Sequence, residues 1–149
     1  MKIAIAWDHG GYELKEMVAG FLMGTGHQVI DLGTDSAESV DYPEYGRKCG
    51  LAVVEGEADR GIVVCGTGIG ISIAANKVKG VRCALVNSVD AAILTREHND
   101  SNCLAMGAKY TPNELAIEIV DTWLNTNFSN MEKHTRRINK ITNYENEVK

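Results

Sequence analysis

The sequence predicts a three-layer α/β fold in which a five-stranded parallel sheet lies between helices. Three observations lead there. Short β-rich runs alternate with amphipathic stretches along most of the chain. The central runs, such as Ile62-Val63-Val64, are apolar at successive positions, so both faces of those strands are covered. A length of 149 residues suits a single domain, residues 1–149, with one site or one repeated by symmetry.

Each element has its own signature. Strands are expected at residues 2–6, 27–31, 61–65, 82–86 and 102–106. A helix over about 12–23 sets Leu14, Val18, Phe21 and Leu22 on one stripe, and Gly24 and Gly26 end it. Another begins near Ile69 and runs through Ser72-Ile73-Ala74-Ala75. A third begins at Asn87-Ser88-Val89-Asp90 and ends in Arg96-Glu97-His98-Asn99-Asp100. Thr111-Pro112-Asn113-Glu114 reads as a capping box with Pro at the first helical position, ahead of Ala116, Ile119, Val120 and Trp123 on one face. Residues 130–149 form a further helix with no strand before it. Its Ile138, Ile141, Tyr144 and Val148 recur at spacings of three and four, a stripe that either a partner subunit or the chain's own body could bury.

Composition narrows the function classes. Lys and Arg total 15 against 20 Asp and Glu, a net charge of −5, which argues against a general affinity for nucleic acid. The start, Met1 to Ala6, goes straight into a turn without the long apolar stretch of a signal peptide or membrane span, so a soluble cytoplasmic protein is expected. Cys49, Cys65, Cys83 and Cys103 form no C-x-x-C pair, and the four histidines show no H-x-H or H-E-x-x-H spacing, so reduced thiols and no metal are expected.

In an open parallel sheet, ligands bind beyond the carboxyl ends of the strands. After the first strand comes Trp7-Asp8-His9-Gly10-Gly11. Asp8 and His9 there either orient hydroxyls and move protons, or cap the next helix and lie on the surface. After the third strand comes Cys65-Gly66-Thr67-Gly68-Ile69-Gly70, whose glycines uncover backbone amides just before a helix, an anion site in waiting. No Gly-Lys-Ser/Thr follows, so it is not a P-loop, and Ile71 six residues after Cys65 excludes a Cys-x5-Arg phosphatase loop. An ordinary thiol is only roughly 3 per cent thiolate at neutral pH, and thiols at helix starts ionise more readily. Cys65 is thus a candidate base or nucleophile, against the alternative of a small buried hydrophobe, the reading given to Cys49, Cys83 and Cys103. His98 and Asn99 stand together just before the fifth strand and approach the sheet edge from the helix side. On the C-terminal helix Lys133 and Arg137, four residues apart, share a face and would accept a phosphate between them, unless the face is simply solvated.

Asp8-His9-Gly10-Gly11, Asp41-Tyr42-Pro43, the string from Cys65 through Gly66-Thr67-Gly68-Ile69-Gly70-Ile71-Ser72-Ile73-Ala74-Ala75-Asn76 to Lys77, and Glu97-His98-Asn99-Asp100 together resemble ribose-5-phosphate isomerase type B, over nearly the whole chain. The resemblance implies a Rossmann-like domain in a homodimer or homotetramer, with the C-terminal helix docking on a neighbouring subunit and the site at the interface. It implies interconversion of ribose 5-phosphate and ribulose 5-phosphate, in the non-oxidative pentose phosphate pathway, with no metal or organic cofactor. Cys65 matches the base for the carbon proton, His98 the acid that opens the furanose, and Thr67 a relay between sugar oxygens. The amides of Gly66, Gly68, Ile69 and Gly70 match the oxyanion cradle. Asp8, His9, Tyr42 and Asn99 match residues that hold the sugar or its phosphate.

Two departures concern the phosphate. Lys109, Lys133 and Arg137 stand where family members commonly carry three arginines, and lysine keeps the charge but loses the bidentate fork. Met131-Glu132 replaces the family's usual Gly-Gly. Isomerisation of a hexose 6-phosphate, of the allose or galactose type, is the nearer alternative, and the intact Glu97-His98-Asn99-Asp100 favours the pentose. A non-catalytic sugar-phosphate-binding module that kept the glycine loop is the alternative from another class.

Overall fold

A computed structural model of the chain describes residues 1–147. Five strands, β1 (Lys2–Trp7), β2 (Gln28–Asp31), β3 (Arg60–Cys65), β4 (Cys83–Leu85) and β5 (Cys103–Gly107), form one sheet in the order β2-β1-β3-β5-β4. Every neighbouring pair is parallel. Six helices connect and follow them: α1 (Tyr12–Gly24), α2 (Tyr42–Val54), α3 (Ile69–Asn76), α4 (Val89–Asn99), α5 (Asn113–Asn125) and α6 (Glu132–Glu147). The α/β architecture and all five strands expected from the alternation are present, with no strand end displaced by more than one residue.

The strands alternate in size as well as in direction. Ile3, Ile5, Trp7, Ile62, Val64, Leu104 and Met106 pack with Leu14, Val18 and Leu22 of α1, Ala92 of α4, and Ile119 and Trp123 of α5. The intervening Ala4, Ala6, Val63, Cys65 and Ala105 face α2 and α3, where Cys49, Ala52 and Ile71 meet them. Period-two alternation therefore sends bulk to one helical layer and small side chains to the other. Cys65 belongs to the small-residue face.

Helix ends follow local rules in most places. At the end of α1 the His27 and Gly26 amides donate to the Leu22 and Met23 carbonyls, with Gly26 at φ +88°, the pairing of a Schellman motif. Ser88 caps α4 by accepting from the Ala91 amide at 3.1 Å. The capping box expected at Thr111 does not form. Pro112, at φ −54° and ψ 151°, is itself the residue before the helix and its carbonyl accepts the first helical bond, from Ala116. The Thr111 side chain is instead buried, its Oγ1 without a hydrogen-bond partner. The cause is tertiary: the amides of Ala108 and Lys109 donate to the Cys65 and Gly66 carbonyls and draw the chain after β5 against β3.

The last helix lies outside the alternation, as its sequence implied. His134 is its one buried residue among those described. Ile141 and Tyr144 of the apolar stripe are exposed, Ile138 is half-buried, and Val148 lies outside the described residues. No helix among the described residues is long and apolar enough to cross a membrane.

Candidate active site

The loop from Cys65 to Gly70 is the centre of the arrangement. Buried β3 delivers Cys65 to the carboxyl end of the sheet, and α3 starts four residues later. The turn between them closes because Gly68 adopts φ +78°, a conformation that costs other residues about 1–2 kcal/mol. There is also no room for a side chain there. A Cβ on Gly68 would lie 2.6 Å from Leu85 Cδ1, 2.7 Å from the Met106 carbonyl carbon and 2.8 Å from the Gly107 nitrogen. The result is a contact at sulfur: the Gly68 amide donates to Cys65 Sγ at 3.1 Å. Thr67 Oγ1 accepts from the Ile69 amide at 3.2 Å, which leaves its hydroxyl hydrogen for another acceptor.

Four further predicted residues stand at the same end. Asp8 takes the capping role that was one of its two readings, Oδ1 accepting from the Gly10 amide at 2.8 Å and the Gly11 amide at 3.3 Å. Its turn abuts the loop, since a Cβ on Gly10 would lie 2.8 Å from the Gly66 nitrogen. His9 is exposed, and its Nδ1 accepts from the Val40 amide at 3.1 Å. The proton of the neutral ring therefore sits on Nε2, as a donor to solvent or ligand. Tyr42 lays its ring on the loop, with Cζ 2.5 Å from where a Gly70 Cβ would be, and the stem of Lys109 passes over Gly66, with Cε 3.5 Å from the corresponding point.

His98, Asn99, Lys133 and Arg137 lie elsewhere. In a parallel sheet the connecting helix runs opposite to the strands, so α4 starts at the carboxyl ends and carries His98 and Asn99 back to the other end. Its 11 residues span about 16 Å. One chain therefore does not bring His98 to Cys65. The far end is firmly held. Arg82 donates to the Asn99 and Asp100 carbonyls at 2.9 Å each, and buried Arg96 pairs with Asp100 at 2.9 Å and donates to the Thr126 carbonyl at 3.0 Å. Asn99, Arg82, Cys83 and Ile141 line a groove of about 360 Å³ there. Sequence reasoning did not single out Arg82, Arg96 or His134. The Arg96-to-Asp100 spacing of four was the one available signal.

Against His98 stands His134, its ring stacked at 4.3 Å between centroids and 18° between planes. Burial, with the charges of His98, Lys133 and Arg137, holds the His134 pKa below the usual histidine value. Two other thiols are held in their protonated form: the hydrogen bond with Cys103 and burial push Cys49 well up, and burial does the same to Cys83. No cluster of three or more His, Cys, Asp or Glu among the described residues could hold a metal.

Fold and loop define a Rossmann-like α/β protein with an amide-contacted thiol at the ligand-binding end of its sheet. The family model described as Ribose/Galactose Isomerase matches residues 3–141, and the chain belongs to that family. It is 46% identical over 141 residues to ribose-5-phosphate isomerase B of Escherichia coli, covering 95% of this chain and 94% of that one. The solved structure of Clostridium thermocellum ribose-5-phosphate isomerase B superposes with a TM-score of 0.98 at 52% identity, covering 100% of both chains. That of the Mycoplasma genitalium enzyme with bound ribulose-5-phosphate gives 0.93 at 40%, covering 99% of this chain and 97% of that one.

Proposed function

We propose that this chain interconverts ribose 5-phosphate and ribulose 5-phosphate through an enediolate, with Cys65 as the base. The carrying observation is the Gly68 amide set on Cys65 Sγ at 3.1 Å, which stabilises negative charge on that sulfur. His98 protonates the ring oxygen of the furanose as the bond from that oxygen to C1 breaks, the C1 hydroxyl gives its proton to water, and His98 recovers one from water, giving the open aldehyde. The Cys65 thiolate takes the proton on C2, and the electron pair moves through C1 onto O1. Amides of Gly66 and Gly70 hold the oxyanion, the interaction that most often dominates such catalysis, while those of Gly68 and Ile69 stay on Cys65 Sγ and Thr67 Oγ1. Thr67 relays the proton from O2 to O1, and the Cys65 thiol returns its proton to C1. Every proton leaves and returns through side chains, sugar oxygens and water, so the cycle as written needs no metal or organic cofactor. Asp8, His9, Tyr42 and Asn99 hold the sugar, and Lys109, Lys133 and Arg137 the phosphate.

The separation of Cys65 from His98 supports a site shared by two copies of the chain, in a dimer or tetramer. His98, Asn99, Lys133 and Arg137 of one copy then complete the thiol loop of the other, with residues 130–149 as the segment that both binds phosphate and docks. Ile69 and Ile73 beside the thiol loop, and Ile141 and Tyr144 on α6, are exposed apolar side chains of the kind such a contact covers. The four free cysteines fit a reducing, cytoplasmic setting.

The test is a Cys65→Ala variant assayed in both directions. Turnover of ribose 5-phosphate is expected to fall about 100-fold to 10,000-fold, the range for loss of a general base, with the Michaelis constant little changed. Unchanged turnover refutes the assignment. The same assay on allose and galactose 6-phosphates grades the sugar preference.

A further inference from the structure

We infer that His134 is a positioning residue for His98: its stacked ring fixes the plane in which His98 meets the oxygen of the sugar ring. The inference rests on the proposed role of His98 and goes one residue beyond it. The two rings come from different elements, α4 and the first turn of α6, and lie 4.3 Å apart at 18°. His134 is only 6% exposed, while every other described residue of α6 is exposed or half-buried. A helix that buries a single side chain has set a flat polar ring where leucine would bury more apolar surface, so the position is shaped for a ring.

The backbone keeps the two elements in register. Ser129 donates to the Glu97 carbonyl from its amide at 3.3 Å and from its hydroxyl at 2.7 Å, tying the chain ahead of α6 to the last turn of α4. Two imidazolium rings at this separation would repel. Burial and the neighbouring His98, Lys133 and Arg137 keep His134 on the neutral side, and a neutral aromatic face accepts a cation. His98 can then gain and lose its proton without disturbing the stack. What the position requires is a flat, uncharged ring; the ring nitrogens are dispensable.

That requirement separates two variants. His134→Leu fills the space without a ring, and His134→Phe keeps the ring without its nitrogens. Each is assayed for turnover of ribose 5-phosphate and, in deuterated water, for exchange at C1 of ribulose 5-phosphate followed by proton NMR. Ribulose 5-phosphate is open-chain, because its O5 carries the phosphate, so exchange needs Cys65 and the loop but no ring opening. For His134→Leu we expect kcat to fall about tenfold or more, as misplacing one acid by a fraction of its working geometry costs on this scale. Exchange should stay within about twofold, and His134→Phe should recover most of the lost kcat. Unchanged kcat in His134→Leu, exchange falling in step with turnover, or failure of His134→Phe to recover would each overturn the inference. A parent chain that neither isomerises nor exchanges would instead sink the reading beneath it, and this one with it.

Discussion

Substituting Gly68 by alanine tests the loop at the point where fold and chemistry meet. The backbone cost is that of holding an L-residue at φ +78°, about 1–2 kcal/mol. The steric cost comes on top, because the new Cβ would lie 2.7 and 2.8 Å from backbone atoms of Met106 and Gly107, neither of which can rotate away. For a chain of this size 1 kcal/mol moves Tm by about 2–4 °C, so Gly68→Ala should lower Tm by at least about 2–8 °C. The loop escapes the clash by moving the same amide that donates to Cys65 Sγ. Losing one such donor costs about 100-fold to 1,000-fold in kcat where it faces developing charge. Gly20 supplies the control, in α1 with nothing within 4 Å of its Cβ position. There alanine should raise stability by about 0.5–1 kcal/mol. Differential scanning calorimetry and the isomerase assay read both variants. A Gly68→Ala protein as stable and as active as its parent would refute the account of the loop.

Two further outcomes follow from the far end of the molecule. The folded-state pKa of His134 lies below its ordinary value of 6.5, so the unfolded chain binds that proton more readily. Stability from this group is complete above pH 6.5 and declines as the pH falls through the window beneath it; His134→Phe should flatten that decline in urea titrations, and identical profiles would contradict it. Mixing inactive Cys65→Ala and His98→Ala chains after reversible dissociation should restore roughly a quarter of parental activity. Half the dimers are then mixed, each with one intact site, whereas no recovery would place the whole site in one chain.

Most of the fold was legible because its determinants are local and periodic. Leu14, Val18 and Leu22 recur at helical spacing and all three are buried; Ile62-Val63-Val64 read as a strand covered on both faces and is so. The thiol loop was legible for the same reason, since strand, glycine turn and helix are contiguous in sequence. What escaped was set by contacts distant in sequence. Thr111-Pro112-Asn113-Glu114 carries the letters of a capping box, yet two backbone bonds, from Ala108 to Cys65 and from Lys109 to Gly66, turn Thr111 inward before it can cap anything. His134 and His98 are 36 positions apart and obey no common period, so their stack has no linear signature. Asp8 kept two readings in sequence; the Gly10 and Gly11 amides show Oδ1 holding the turn, and the contact with sugar stays a proposal.

The topology also supports the proposal that a second copy of the chain completes the site. Ligand-binding loops collect at the carboxyl ends of parallel strands, where Asp8, Tyr42, Cys65 and Lys109 stand, but a helix returning to start the next strand must end at the opposite edge. An acid placed on the last turn of α4 is thereby committed to the wrong end of its own sheet. In the proposed dimer a two-fold axis presents one copy's far end to the other's near end, twice over. On that proposal a free chain has no complete site and a dimer has two, so catalysis and association would share one equilibrium. The anchoring of α4 by Arg82, Arg96 and Ser129 fits that proposal, because a half-site shaped in advance loses less freedom on binding.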